Sequence, residues 1–132
     1  SEAEAKKRHI TPLARIIGHQ SHAQKPGWFT TAPILAIEKL LKQQDLTGDE
    51  IDLFEINEAF AVVVMATIKT LHLDINKVNI HGGACALGHP IGASGARIIV
   101  TLLSALQQYN LKRGLAALCI GGGEATAMLI SK

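Results

Sequence analysis

Short apolar runs alternate along this chain with segments of helical periodicity, and that alternation limits the possible folds more than any other feature. Three segments place apolar residues at helical spacing: 31–42, 57–72, and a stretch that starts after Gly92 and ends near Tyr109. Five short runs have the composition of strands: 11–22, 51–56, 77–81, 115–120 and 126–130. The order β-α-β-α-β-α-β-β predicts a layered α/β domain with a mixed, mostly parallel sheet of about five strands, one antiparallel edge, and helices on both faces.

The length fits a single domain. A chain of 132 residues with 48% hydrophobic residues can bury one core, is too small for two, and is too apolar for a disordered protein. Residues 1–10 have acids before bases, which is the composition of an exposed helix end or tail. We therefore treat 1–132 as one domain with an exposed N-terminal tail, and the absence of a starting Met predicts that it belongs to a longer protein.

Charge and hydropathy exclude two classes of partner. Thirteen basic and eleven acidic side chains give a net charge of +2, and no cluster of Lys or Arg is interleaved with aromatic residues, so we expect no nucleic acid. No apolar run approaches the roughly 20 residues that span a bilayer, so we expect no membrane insertion. Two cysteines without a signal peptide predict a reducing compartment, and we expect the cytoplasm.

Three loops at predicted strand ends carry residues whose side chains could act in catalysis or binding: Asn57, His89 within Gly88-His89-Pro90, and Cys119. Ligands of layered α/β domains gather beyond the carboxyl ends of parallel strands. Each residue also has an ordinary structural interpretation. Asn57 could be a helix N-cap, His89 an incidental loop residue, and Cys119 a small buried hydrophobe.

Metal and phosphate sites are weaker hypotheses for the same loops. His81, Cys85 and His89 recur every four residues, but that spacing would align ligands only on a helix, and glycines make a helix unlikely there. We expect no metal. The run from Gly82 to Gly92 also lacks the patterns of a P-loop and of a dinucleotide-binding turn. Ser94 is interpreted as polar filling in a first helical turn.

Three motifs together resemble, in order and spacing, the C-terminal signatures of thiolases: Asn57-Glu58-Ala59-Phe60, the run GGACALGHPIGASGAR from Gly82 to Arg97, and Cys119-Ile120-Gly121-Gly122-Gly123. The resemblance extends over nearly the whole chain from about Thr11. It implies a thiolase-like half and the chemistry of that family, which joins or cleaves acyl chains on coenzyme A through an acyl-cysteine.

The resemblance also implies catalytic roles. The residue matching His89 activates the nucleophilic cysteine and then, with a water held by the residue matching Asn57, stabilises negative charge on the thioester oxygen. Cys119 matches the acid/base cysteine, whose thiol can be tuned toward neutral pKa. The backbone N–H matching Gly121 contributes to a second oxyanion hole.

Binding partners follow from the same resemblance. Ala59 and Phe60 match positions that touch the pantetheine arm of coenzyme A, which is a substrate here and not a covalently bound cofactor. The nucleophilic cysteine belongs to the N-terminal half of the family, so we expect a partner half, an inactive isolated chain, and a homo-oligomer formed through the apolar helix after Phe60. Two alternatives remain: a non-catalytic thiolase-like subunit that binds acyl-CoA or a protein, and a nucleotide-binding module.

Overall fold

A computed structural model describes residues 1–132. The helices and strands are α1 (Glu2–Lys7), β1 (Arg15–Ala23), α2 (Ala32–Gln43), β2 (Leu53–Ile56), α3 (Ala61–Leu71), α4 (Ala84–Leu87), α5 (Ser94–Gln108), β3 (Arg113–Cys119) and β4 (Glu124–Ser131). Short 3-10 helices lie at Pro26–Thr31, Gly48–Glu50 and Ile75–Lys77. No helix combines the length and the apolar character needed to cross a bilayer.

The strands form one mixed sheet in the order β1-β4-β3-β2. Strands β2 and β3 are parallel, with Ile56 opposite Ala117, whereas β4 is antiparallel to both β3 and β1. The predicted α/β class is therefore correct. The prediction of a mixed sheet is also correct, but the sheet is not mostly parallel and does not have about five strands. It has four strands, and only one of the three pairings is parallel, since β1 pairs antiparallel with β4.

The missing strand is the one predicted at 77–81. A 3-10 helix ends at Lys77, and only one bridge, between Val78 and Phe54, continues toward β2. The Asn79 side chain then takes over the pairing: its Oδ1 accepts from the Ile56 N–H at 2.8 Å and its Nδ2 donates to the Ile56 carbonyl at 2.9 Å. With φ at 49°, Asn79 also turns the backbone away from extended geometry.

Two apolar clusters cover the two faces of the sheet. On one face α2 and α3 pack against strand residues that include Phe54, Leu115 and Leu129. On the other face α5 contributes Leu102 and Leu106, which are fully buried against a cluster that includes Leu53, Ala116 and Ile130. Full burial of one such side chain stabilises the fold by about 1.5–3 kcal/mol. Helices therefore lie on both faces, as the sequence predicts.

Helix α3 is less buried than its composition predicts. Only Val63, Val64 and Thr67 are buried, and Val62 and Met65 are more than half exposed. The helix begins at Ala61, with Phe60 as N-cap, and not at Asn57. Asn57 is therefore not the N-cap of this helix, and a strip of apolar surface along α3 faces outward.

Candidate active site

Asn57 lies immediately after β2, at its carboxyl end. Its N–H donates to the Ala117 carbonyl at 2.9 Å, which extends the parallel pairing of β2 with β3 by one residue. Its side chain is completely buried, and its Nδ2 lies 3.4 Å from His89 Nδ1. Its Oδ1 is buried and accepts no hydrogen bond within the chain. Buried amide oxygens are rarely left unbonded, so this position suits a polar ligand or water.

His89 is held in the Gly-rich loop by its own neighbours. Gly88 has φ at 91°, which a residue without a side chain adopts freely, and Pro90 restricts the backbone on the other side. The half-buried imidazole has its Nδ1 2.6 Å from the hydroxyl of Ser94, which also donates to the Pro90 carbonyl at 3.2 Å. Ser94 is 1% exposed. Its contact with His89 was not predicted from the sequence.

Glu58 connects this loop to the end of β2. Its carboxylate accepts from Asn79 Nδ2 at 2.8 Å and from the Cys85 backbone N–H at 2.9 Å. Gly83 lies directly against it, and a Cβ there would overlap the carboxylate. Burial acts to raise the pKa of Glu58, but the hydrogen bonds from Cys85 and Asn79 outweigh it and hold the pKa below its ordinary value. Glu58 lies within one of the three sequence motifs, but no site role was predicted for it from the sequence.

A buried ion pair lies beside these residues. Glu55 is 2% exposed, and its carboxylate lies 3.2 Å from Arg97 Nη1 on α5. Burial raises the pKa of Glu55 to about 7, and the Arg97 guanidinium opposes that shift. The Arg97 Nη2 is buried without a hydrogen-bond partner. The Glu55 carboxyl and one nitrogen of Arg97 are therefore buried on the side of β2 that faces α5.

Cys119 and Gly121 lie at the end of β3 and in the turn that follows it. Cys119 is 6% exposed, and burial raises the pKa of its thiol. The turn closes by hydrogen bonds from the Gly123 N–H to the Ile120 carbonyl at 3.1 Å and from the Ile120 N–H to the Glu124 carbonyl at 2.7 Å. Gly121 is exposed, and its N–H donates no hydrogen bond within the chain.

The parallel pairing of β2 with β3 brings these residues to one edge of the sheet. Asn57 and His89 are in contact. Asn57 is also hydrogen-bonded to the carbonyl of Ala117, and Cys119 lies two residues after Ala117 in β3. Ala59 is half-buried beside the α2/α3 cluster. Phe60 is 59% exposed, with its ring edge-on to that of Phe29 at a centroid distance of 6.2 Å.

Two clefts of the structure do not include Asn57, His89 or Cys119, and no group of side chains forms a metal site. A cleft of about 420 Å³ lies beside the turn after β3, and one of about 130 Å³ lies at the end of α3; neither is lined by Asn57, His89 or Cys119. No three His, Cys, Asp or Glu side chains are grouped closely enough to hold a metal ion. The loop does contain one helical turn, α4, contrary to prediction, but His81 and His89 lie outside it.

Fold and site define a class: an α/β domain whose sheet edge carries an amide, an imidazole, a thiol and a free backbone N–H. Residues 10–132 match the family model described as the C-terminal domain of thiolase. The chain belongs to the thiolase family.

Individual relatives agree with that assignment. The chain is 56% identical over all its residues to a probable acetyl-CoA acetyltransferase from Dictyostelium discoideum and 50% identical to an acetyl-CoA acetyltransferase from Saccharomyces cerevisiae. It covers 32% and 33% of those proteins, and so spans about a third of the length of the curated relatives it matches.

Solved structures share the fold closely. The Acat5 thiolase from Ascaris suum in complex with coenzyme A is 48% identical, with a TM-score of 0.94 over the whole chain and 34% of that structure. Human mitochondrial 3-ketoacyl-CoA thiolase in complex with CoA is 42% identical, with a TM-score of 0.97 over the whole chain and 34% of that structure.

Proposed function

We propose that this chain is the C-terminal catalytic domain of an acetyl-CoA acetyltransferase, which transfers acyl groups between coenzyme A molecules by Claisen condensation or thiolysis. One observation carries the proposal: Asn57 and His89, 32 positions apart in two separate motifs, meet at 3.4 Å beyond the end of β2. The names of the relatives from Dictyostelium discoideum and Saccharomyces cerevisiae support the same reaction.

The first role is stabilisation of negative charge. His89 and a water bound by Asn57 donate hydrogen bonds to the thioester oxygen as charge develops on it. The buried, unbonded Oδ1 of Asn57 supports a site that binds such a water. Removing one donor of this kind typically raises the barrier by about 3 kcal/mol. The free N–H of Gly121 supports its role in a second oxyanion hole around the acyl-enzyme.

The second role is proton transfer by Cys119. In synthesis its thiolate takes a proton from the methyl group of the acetyl thioester, and in cleavage it takes one from the thiol of coenzyme A. Because burial raises the pKa of Cys119, the resting group at neutral pH is the protonated thiol, which must first give its proton to water to become the base. Ala59 and Phe60 contact the pantetheine arm, and the exposure of the Phe60 ring leaves it available for that contact.

The acyl group is carried by a cysteine outside this chain. Cys85 is exposed, but slight desolvation and the Glu58 carboxylate raise the pKa of its thiol, which disfavours a nucleophilic thiolate. Cys119 is assigned to proton transfer. The 132-residue chain alone therefore has no acyl acceptor and does not turn over, and a thiolase N-terminal half is its required partner.

Complementation tests the proposal. The part of the Dictyostelium discoideum relative that precedes the matched region is purified and mixed with this chain, and cleavage of an acetoacetyl thioester by coenzyme A is followed. We expect activity from the mixture and none from either half. Matched controls carry His89→Ala or Cys119→Ala in this chain, and the mixture with either variant should be inactive. A folded, associated mixture that stays inactive would contradict the proposed function.

Two further expectations accompany the function. The exposed Val62 and Met65 of α3 support self-association of the chain through that helix, and a monomeric mass in dilute solution scattering would contradict it.

The proposed compartment is the cytoplasm, supported by a relative from Gibberella zeae that is named a cytosolic acetyl-CoA acetyltransferase and is 45% identical over 98% of this chain.

A further inference from the structure

We propose that Ser94 is a positioning residue that acts through His89, by allowing the imidazole to change its tautomer between the two steps of the proposed reaction. This inference rests on the proposed function. The observation behind it is the 2.6 Å contact between the Ser94 hydroxyl and His89 Nδ1. A hydroxyl both donates and accepts, so it is compatible with a protonated Nδ1 and with an unprotonated one.

The first arrangement leaves Nε2 free to act as a base. His89 Nδ1–H donates to the Ser94 oxygen, and the Ser94 hydroxyl donates to the Pro90 carbonyl, 3.2 Å away. The lone pair then lies on Nε2. When Nε2 takes a proton from a thiol, the ring becomes an imidazolium whose Nδ1–H is still bonded to Ser94. When that proton passes to the leaving thiolate, the neutral ring is restored and no proton is gained or lost.

The second arrangement makes Nε2 a donor. Here the Ser94 hydroxyl rotates and donates to an unprotonated Nδ1, and Nε2 carries the proton that an oxyanion requires. The Pro90 carbonyl is not left unbonded, because it still accepts from the backbone N–H groups of Ala93 at 2.7 Å and Ser94 at 2.9 Å. Exchange between the arrangements moves one proton from Nδ1 to water and one from water to Nε2, without net charge.

The surroundings of Ser94 make the contact specific. At 1% exposure, its hydroxyl has no access to bulk water that could replace His89 as its partner. The other neighbour of Nδ1 is Asn57 Nδ2 at 3.4 Å, which can only donate. Ser94 is therefore the group that stabilises the Nδ1–H tautomer, and without it the ring is biased toward Nε2–H.

Nitrogen NMR of the folded chain labelled in histidine tests this without requiring turnover. In the unsubstituted chain we expect both tautomers of neutral His89 to be populated. In Ser94→Ala the ratio of the Nδ1–H form to the Nε2–H form should fall about fivefold, the change expected for loss of one neutral hydrogen bond. Ser94→Cys, which fills the same space with a weaker hydrogen-bonding group, should shift the ratio in the same direction by less.

Ser104→Ala is the matched control, because Ser104 is an exposed serine on the same helix. Its tautomer ratio should equal that of the unsubstituted chain. A ratio unchanged in both Ser94 variants, or shifted toward Nδ1–H, would overturn the inference. The complementation assay is read separately: an inactive mixture together with the expected NMR shift would reject the proposed function while leaving the His89–Ser94 coupling in place.

Discussion

The two ends of the candidate site are held by different kinds of interaction. At the loop end, where β2 meets the segment from Gly82 to Gly92, side chains hold the geometry: Glu58 accepts two hydrogen bonds, and Ser94 contacts His89. At the hairpin end, where β3 turns into β4, main-chain hydrogen bonds hold Ile120, Gly123 and Glu124. The loop end should therefore depend on side-chain identity, and the hairpin end on backbone conformation.

The largest expected effect comes from Gly123→Ala at the hairpin end. Gly123 has φ at 106°, and a Cβ there would overlap the carbonyl oxygen of Gln24, whose N–H donates to the Gly123 carbonyl at 3.0 Å. Backbone strain and the lost contact together should lower the free energy of unfolding by about 4 kcal/mol. Urea denaturation measures the change.

The control for this variant is Gly121→Ala in the same turn, where an added Cβ meets open space. Its free energy of unfolding should change by less than about 1 kcal/mol. Equal losses in the two variants would mean that the hairpin end tolerates no side chain at all, and would remove the backbone explanation.

The second effect is a pH dependence at the loop end. The pKa of Glu55 is about 7 in the folded chain, above the ordinary value of 4.5 for a glutamate side chain. Between these two pH values the folded state holds a proton that the unfolded state has lost. Its contribution to stability is full below the unfolded pKa and is lost as pH rises through 7. The loss amounts to about 3 kcal/mol for a fully buried carboxyl.

Glu55→Gln isolates this contribution, because the amide cannot titrate and its oxygen can still accept from Arg97. The difference in unfolding free energy between the two proteins should change by about 3 kcal/mol between about pH 5 and pH 8, in favour of the variant at high pH. Glu38→Gln, an exposed change on α2, should leave the pH profile unaltered. Parallel profiles for Glu55→Gln and the unsubstituted chain would contradict the assignment.

The same contrast explains which parts of the molecule could be predicted from sequence. Helix α5 and strands β3 and β4 were predicted to within about two residues, because the periodicity of apolar residues is a local signal. The pairing of β1 with β4 was not predicted, since Arg15 and Ser131 lie at opposite ends of the chain. Nor could apolar composition alone show that the Asn79 side chain replaces a strand.

The candidate site divides in the same way. Asn57, His89, Cys119 and Gly121 stand in motifs whose order and spacing can be recognised in a single sequence. Ser94 was within one of those motifs, yet its interaction depends on how the loop turns back over five residues to meet His89. The groups proposed to touch a substrate were therefore easier to find than the groups that support them.

The third effect returns to the loop end with Gly83→Ala. An added Cβ would displace the Glu58 carboxylate and break its hydrogen bonds with Asn79 and Cys85. Loss of a charge-assisted hydrogen bond predicts destabilisation by about 2 kcal/mol, measured by urea denaturation. Gly92→Ala in the same loop, where a Cβ meets open space, is the matched control and should change stability by less than about 1 kcal/mol.

A double-mutant cycle separates the proposed cause from general loop strain. If Gly83→Ala acts by displacing Glu58, it should have almost no further effect once Glu58→Ala has removed the carboxylate. Additive losses would show that Gly83 is required for the backbone alone, and the loop end would then resemble the hairpin end.

The smallest effect compares one thiol from each end. Cys119 is buried at the hairpin end and Cys85 is exposed in the loop, so iodoacetamide should modify Cys119 at least about tenfold more slowly, because local opening must precede its reaction. Glu58→Gln should accelerate the modification of Cys85, since the Glu58 carboxylate raises the pKa of that thiol, and should leave Cys119 unchanged. Mass spectrometry of the two peptides reports both rates. If Glu58→Gln accelerated Cys119 equally, the two ends would be opening together, and the distinction between side-chain and main-chain support would fail.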